Sequence, residues 1–312
     1  MADCDGDVLT LLPHDRPGLW RFVAVSLGMV LLVLLLSACS ARQLLVQGVA
    51  NELAAQGQAP EDDLQLAREA SAFYLKLSES VLREAPGNLL LAEAVAAGFT
   101  QYAYAFVAAD ADRTDATDAR AAHALRQRAA RLYARAHRHA MAALEQRQPG
   151  LRRALEARDA AAWPRLTDDM VPLAYWASAS WGGWISLSKD DPDLVADLPL
   201  AIRLATLAHQ RRPDYGDGAL ASLMGTYETV RPGGSVSRAS TYFDQGLALG
   251  AGRNAGAFVA KAEGIALPAG DRAGFEQLLR QALAASDARR DLQNEAMRAR
   301  ALWLLDSLDD LF

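Results

Sequence analysis

The 312-residue chain has two cysteines, Cys4 and Cys39, and five histidines. Two thiols on either side of an apolar run make no disulfide framework and no thiolate metal site. Phosphate-cradling glycine loops, nucleophile elbows and cysteine–histidine spacings are missing as well. His137 and His139 stand two apart, which sends them to different sides of a helix, so they make no metal pair. Asp110, Asp112 and Asp115 lack the glycine and the downstream glutamate of a calcium loop. Asp190, Asp191 and Asp193 around Pro192 read as a helix start. These absences leave no catalytic residue, no metal and no cofactor to expect. Alternating β-branched residues are almost absent too, which argues against strands. An excess of positive charge is also lacking: 32 basic residues face 38 acidic ones, for a net charge of −6. Nucleic acid is therefore an unsuitable partner, and Arg131, Arg135 and Arg138 at helical spacing read as a solvated face.

What is present starts near the N-terminus. Arg16 and Arg21 precede an apolar run from Phe22 to Leu36. At 15 residues, the run is short of the ~20 that a helix needs to cross a bilayer. It ends in Leu36-Ser37-Ala38-Cys39, small residues followed by a thiol. That order reads as a lipoprotein signal cut before Cys39, with Cys39 the lipid-attachment site. An uncleaved anchor with a coincidental cysteine is the alternative. The acidic lead (Asp3, Asp5, Asp7, Asp15) is unusual for a signal and points to initiation downstream of Met1 or to a long n-region. The expected organisation is a signal peptide over 1–38, a lipid-anchored segment over 39–60 and a helical domain over 61–312. Ser40, not aspartate, follows the cysteine, which favours a periplasmic protein anchored to the outer membrane.

The remainder is rich in alanine and leucine, with apolar residues at 3.6-residue spacing in nearly every segment. The pattern predicts an all-α fold of helices over 41–57, 61–85, 88–109, 117–147, 151–160, 166–188, 193–211, 216–230, 235–249, 254–267, 271–285 and 289–309. Pro86-Gly87-Asn88, Pro149-Gly150, Pro213-Asp214 and Arg231-Pro232-Gly233-Gly234-Ser235 supply stops and caps. Asp271 and Asp287 stand where an N-cap or first-turn anion helps. Short connections imply antiparallel hairpins. Tetratricopeptide hairpins carry small or aromatic residues at offsets 0, 4 and 7 and a proline at 12. Ala201, Ala205, Ala208 and Pro213 follow those offsets, and Ala239, Phe243, Gly246 and Ala251 follow them in part. Ala129, Tyr133 and Ala136 match the first three positions, and Tyr74, Ser78, Val81 and Pro86 keep the spacing with altered residues. The expectation is a degenerate tetratricopeptide-like array in one helical domain; an ordinary alanine-rich bundle is the alternative.

One segment stands apart. Met170 to Ser188 has no charged residue and holds three of the six tryptophans. A helix apolar around its whole circumference belongs in a core. Pro172, Gly182-Gly183 and four serines make it a poor membrane span. Two readings stay open: the indoles fill the core, or Tyr175, Trp176, Trp181, Trp184 and Tyr227 line an apolar pocket. Gly182, Gly183 and Gly225 are expected where another backbone or a ligand approaches closely.

In these residues the chain resembles the T-component family of TRAP (tripartite ATP-independent periplasmic) transporters. The blocks are Tyr175-Trp176, Trp181-Gly182-Gly183-Trp184, Ser188-Lys189-Asp190-Asp191, Pro213-Asp214-Tyr215-Gly216-Asp217-Gly218-Ala219, Gly225-Thr226-Tyr227, Gly233-Gly234, Ala239 with Phe243, and Ala301-Leu302-Trp303-Leu304-Leu305. They run in order across roughly residues 40–312. The resemblance implies a periplasmic lipoprotein of tetratricopeptide-like hairpins around a hydrophobic passage. It further implies association with the transporter's substrate-binding P subunit, a homotrimer, and a hydrophobic ligand. The chain departs from the family in its acidic lead and in an arginine- and alanine-rich insertion around 110–160, so no partner surface is carried over there. The runner-up reading is a helical scaffold lipoprotein for envelope assembly with no small-molecule ligand; an enzyme comes third.

Overall fold

In a computed structural model, which describes residues 17–57 and 61–312, every regular element among the described residues is a helix. The chain divides into two units, 1–47 and 48–312. The first carries most of helix α1 (Pro17–Gln56), with Phe22, Val25, Leu27, Met29, Leu44 and Leu45 exposed. The backbone is helical through Cys39, but the side chains of 30–41, and so the lipid-attachment site, lie outside those described. The acidic lead over 1–16 also lies outside the described residues.

The second unit owes its helix boundaries to short polar side chains. Asp63 opens α2 (Leu64–Glu84), its carboxylate accepting from the amides of Gln65 and Leu66 at 3.0 Å. Asn88 does the same for α3 (Leu89–Tyr102) and Asp118 for α5 (Ala119–Arg147). Each such cap satisfies an amide that the first turn leaves unpaired and is worth ~1 kcal/mol. Between α3 and α5 the chain passes through a π-helical segment, π1 (Ala103–Ala108), and α4 (Ala109–Asp115). After the short α6 (Leu151–Leu155) come α7 (Val171–Ser186), α8 (Pro192–Ala196), α9 (Leu198–Arg211), α10 (Ala219–Val230) and α11 (Val236–Leu249). A second π segment, π2 (Ala262–Ala266), continues α12 (Ala255–Lys261), and α13 (Arg272–Ala288), α14 (Leu292–Asp306) and α15 (Leu308–Leu311) close the chain.

Several expected boundaries move. The helix expected over 151–160 stops at Leu155, and the one over 193–211 breaks at Asp197 into α8 and α9. The N-cap of α14 is Asp291, which accepts from the Asn294 amide at 2.8 Å, whereas Asp287 lies inside α13. The stretch Leu89–Asp115 is long and apolar enough to cross a membrane, but 56% of its apolar 18-residue window is buried inside the fold, as suits a core helix.

Helix α7 packs against α5, α9 and α3. Surrounded this way, it has no face to give to charge, and its polar residues must find partners within the protein. Ser178 donates to the Ala201 carbonyl at 2.9 Å, and Ser180 to the Trp176 carbonyl at 2.6 Å. Elsewhere one buried carboxylate joins α2 to α5. Glu79, 5% exposed, accepts from both ends of the Arg135 guanidinium, from Lys76 at 3.0 Å and from the His139 ring at 2.9 Å. Burial alone would raise the Glu79 carboxyl. The hydrogen bonds from Arg135, His139 and Lys76 outweigh it and hold the group well below the usual carboxylate range.

A candidate apolar cavity

The tryptophans and tyrosines of α7 separate by role. Trp181 has no exposed surface. Its indole lies 4.3 Å from the His137 ring, and its Nε1–H has no hydrogen-bond partner. His137 donates from Nδ1–H to the Ala177 carbonyl at 3.1 Å, which fixes the neutral tautomer. Burial pulls the His137 ring down to about 4, so it is neutral near pH 7. Trp184 packs with Leu187 against Ala103, Val107, Ala129 and Tyr133. Tyr175 and Trp176, edge to face at 4.8 Å, turn instead into open space.

That space is a cavity of about 880 Å³. Its wall takes Tyr175, Trp176, Ala179, Gly182, Gly183 and Ile185 from α7, Tyr133 from α5, Leu198 from α9, and Leu223 and Tyr227 from α10. Two of the expected glycines are necessary to its shape. A methyl group at Gly183 would stand 2.8 Å from the Tyr133 ring, and one at Gly182 would stand 2.9 Å from the Tyr227 hydroxyl. Each is closer than carbon atoms tolerate, so both positions admit the aromatic wall only because they lack a side chain. Gly225 lies off the cavity, where the ring of Phe243 closes to 2.8 Å of its missing Cβ. Trp181 and Trp184 are likewise absent from the cavity wall. The indoles therefore divide between packing and lining, and of the five aromatics expected to line a pocket this cavity takes Tyr175, Trp176 and Tyr227.

The polar groups of the wall are spent or sparse. Tyr227 donates to the Ser178 carbonyl at 2.7 Å. Burial raises the hydroxyls of Tyr133 and Tyr227, and raises Tyr175 to about 12, so all three are neutral. Lys189 is the one charged side chain on this wall. It is exposed and makes no ion pair among the described residues, and Ser186, Val195 and Val230, also exposed, line the same cavity. The mouth thus offers one cation, and the interior offers aromatic and aliphatic surface. Tyr104 from π1 and Gln293 and Met297 from α14 complete the wall; they carried no legible signal, because they come from two segments of unremarkable pattern far apart in the chain. Lys189 stands in a block that the family resemblance had already singled out.

Fold and cavity together define a protein that is all-α over its described residues, with an open-mouthed apolar cavity among its helices. Residues 60–312 match the TRAP transporter T-component family, and the chain belongs to that family. It is similar to an uncharacterized protein of Treponema pallidum (strain Nichols), 27% identical over 263 residues that make up 81% of each chain. Family membership makes the chain a transporter component in class.

Proposed function

We propose that the protein is a lipid-anchored periplasmic accessory component of a TRAP-type transporter that docks the substrate-binding P subunit and passes an amphipathic ligand through its apolar cavity. The observation that carries the ligand is the 880 Å³ chamber with a single cation at its mouth. Sites of roughly 300–1,000 Å³ with a few placed polar groups suit small-molecule ligands. An acidic head group fits Lys189, and an apolar chain fits the Trp176 and Tyr175 surface behind it. In this reading 1–38 is the signal peptide, Cys39 carries the lipid at the outer membrane, 39–60 is the tether and 61–312 does the work. The protein acts as a homotrimer and not as an enzyme.

The helices are read as a tetratricopeptide-like array. Support comes from chain neighbours that pack as pairs, α10 with α11 and α12 with α13. Ala201, Ala205, Ala208, Ala239 and Phe243 have no exposed surface, as residues at a hairpin contact must. A scaffold without a ligand is the second reading, and family membership favours the first.

The test compares n-alkanoates with n-alcohols of equal chain length on the full-length protein and on Lys189→Glu. A head group held at Lys189 gives a loss of at least tenfold in alkanoate affinity with little change for the alcohol. Equal effects on both, or none, remove the head-group assignment. Cross-linking in cells expressing the neighbouring transporter subunits tests docking, and recovery of no P subunit counts against it.

A further inference from the structure

Two smaller cavities adjoin the wide one. One, of about 230 Å³, lies among α2, α3, π1 and α14, with Tyr74, Leu75 and Phe106 on its wall. The other, of about 460 Å³, lies between α10 and α12–π2, with Ser222, Val259 and Glu263 on its wall. Tyr104, Gln293 and Met297 line all three spaces. Side chains common to three separate cavities stand between them. Gln293 and Met297 are four apart on α14, so they share one face of that helix. Tyr104 belongs to π1, which packs against α3, α4 and α5.

Both π segments contribute to the wall of the second side chamber. Tyr104 lies in π1, and Glu263 and Gly264 on the second side chamber lie in π2, about 160 residues later in the chain. A π turn inserts one residue into a helix and re-aims the side chains around it, and such turns cluster at functional sites. The surroundings of Tyr104 are fixed by an ion cluster. Arg300 on α14 donates to Asp112 on α4 and to Glu263 on π2, both at 2.6 Å. Tyr104 also packs with Tyr133, Leu125 and Leu132 around Ala103, Val107 and Ala129. Met297 packs against the apolar core of α12, α13 and α14 but joins no ion cluster. Its unbranched thioether has three rotatable bonds and no hydrogen bond to break on moving.

We propose that Tyr104, Gln293 and Met297 form a gate between the wide chamber and the two side chambers, and that this gate determines how long an apolar chain the protein accepts. Tyr104 is the fixed jamb and Met297 the moving part. A chain that fills the wide cavity reaches the gate with its far end, and a longer chain has to displace Met297 to continue. The inference rests on the ligand-handling reading above, but it concerns chain length where that reading concerns the head group.

A homologous series of ω-bromo-n-alkanoates, from eight to about twenty carbons, tests it on the full-length protein, with bound ligand read by isothermal calorimetry. While added methylenes are buried, affinity rises about fourfold for each, which is the ~0.8 kcal/mol of one buried CH₂. In the wild type this rise ends at a definite length. In Met297→Ala the rise continues at least two carbons further, and in Gln293→Ala it continues in the same direction. Tyr104→Phe, which keeps the ring, leaves the break where it was. Far-UV circular dichroism checks the fold of each variant, and Gln293→Ala carries the readout if Met297→Ala does not fold. A break at the same length in wild type and in both alanine variants overturns the gate while leaving ligand binding intact. Failure of the wild type to bind any member of the series overturns the ligand reading, and the gate with it.

Discussion

Replacing Glu79 with glutamine tests the electrostatics of the α2–α5 contact. Glutamine keeps the shape but removes the charge that Arg135, Lys76 and His139 address. Removing one member of a buried ion pair costs roughly 3–5 kcal/mol, because the partner charge stays desolvated. The cost here is lower, since the Arg135 side chain is 30% exposed and that of Lys76 is 59% exposed; surface exposure screens such pairs. About 2 kcal/mol is reasonable, and for a chain of this size that corresponds to a fall of roughly 4–8 °C in melting temperature. The effect has a pH signature. The folded-state carboxyl of Glu79 sits below its unfolded value of 4.5. Its stabilisation is therefore complete above that value and is lost as pH falls toward the folded one. Thermal melts of wild type and Glu79→Gln should differ fully from pH 6 to 8 and converge progressively below about pH 4. A gap that stays constant down to pH 3, or no gap at pH 7, would refute the account of this contact.

Other outcomes follow from the same geometry. His137, with its ring at about 4 when folded against 6.5 unfolded, should make the protein lose roughly 3 kcal/mol as pH falls through that window, since the unfolded chain takes the proton first. His137→Gln should flatten that slope in denaturant titrations between pH 7 and 4. Trp181→Ala should cost about 3–5 kcal/mol as a cavity-forming change in the core. Trp176→Ala should cost less stability and more ligand affinity, and urea melts together with binding isotherms separate the two. Gly183→Leu, with a side chain forced against the Tyr133 ring, should both destabilise the fold by a few kcal/mol through overpacking and lower affinity for an alkyl ligand at least tenfold.

Much of the helix layout was legible because the local code carries it. Proline–glycine breaks, short polar caps and 3.6-residue apolar spacing located α2, α5, α10, α11, α13 and α14 within a few residues. Asp287 and Asp291 show the limit: both precede an apolar face, and only packing decides which one caps. The two π segments had no signal at all. An extra residue in a helix leaves composition and amphipathic spacing nearly unchanged, so Tyr104 and Glu263 could not be seen converging. The aromatic segment of α7 was recognisable as special, but its periodicity could not divide Trp176 from Trp181. They are five residues apart, and what turns one to the chamber and the other to the core is the position of α5, which lies outside the segment. Gly182 and Gly183 were legible as sites of close approach, whereas the rings approaching them come from Tyr227 and Tyr133, far along the chain.

Quenching of tryptophan fluorescence by a brominated alkanoate tests the central claim most directly, because bromine quenches on near contact and Trp176 is the one tryptophan on the wall of the wide cavity. The expected result is saturable quenching of the full-length wild type that largely disappears in Trp176→Phe, with the Phe variant still folded and still binding by calorimetry. Quenching unchanged by Trp176→Phe, or no saturable quenching of the wild type at any chain length, would contradict an apolar ligand chamber at α7.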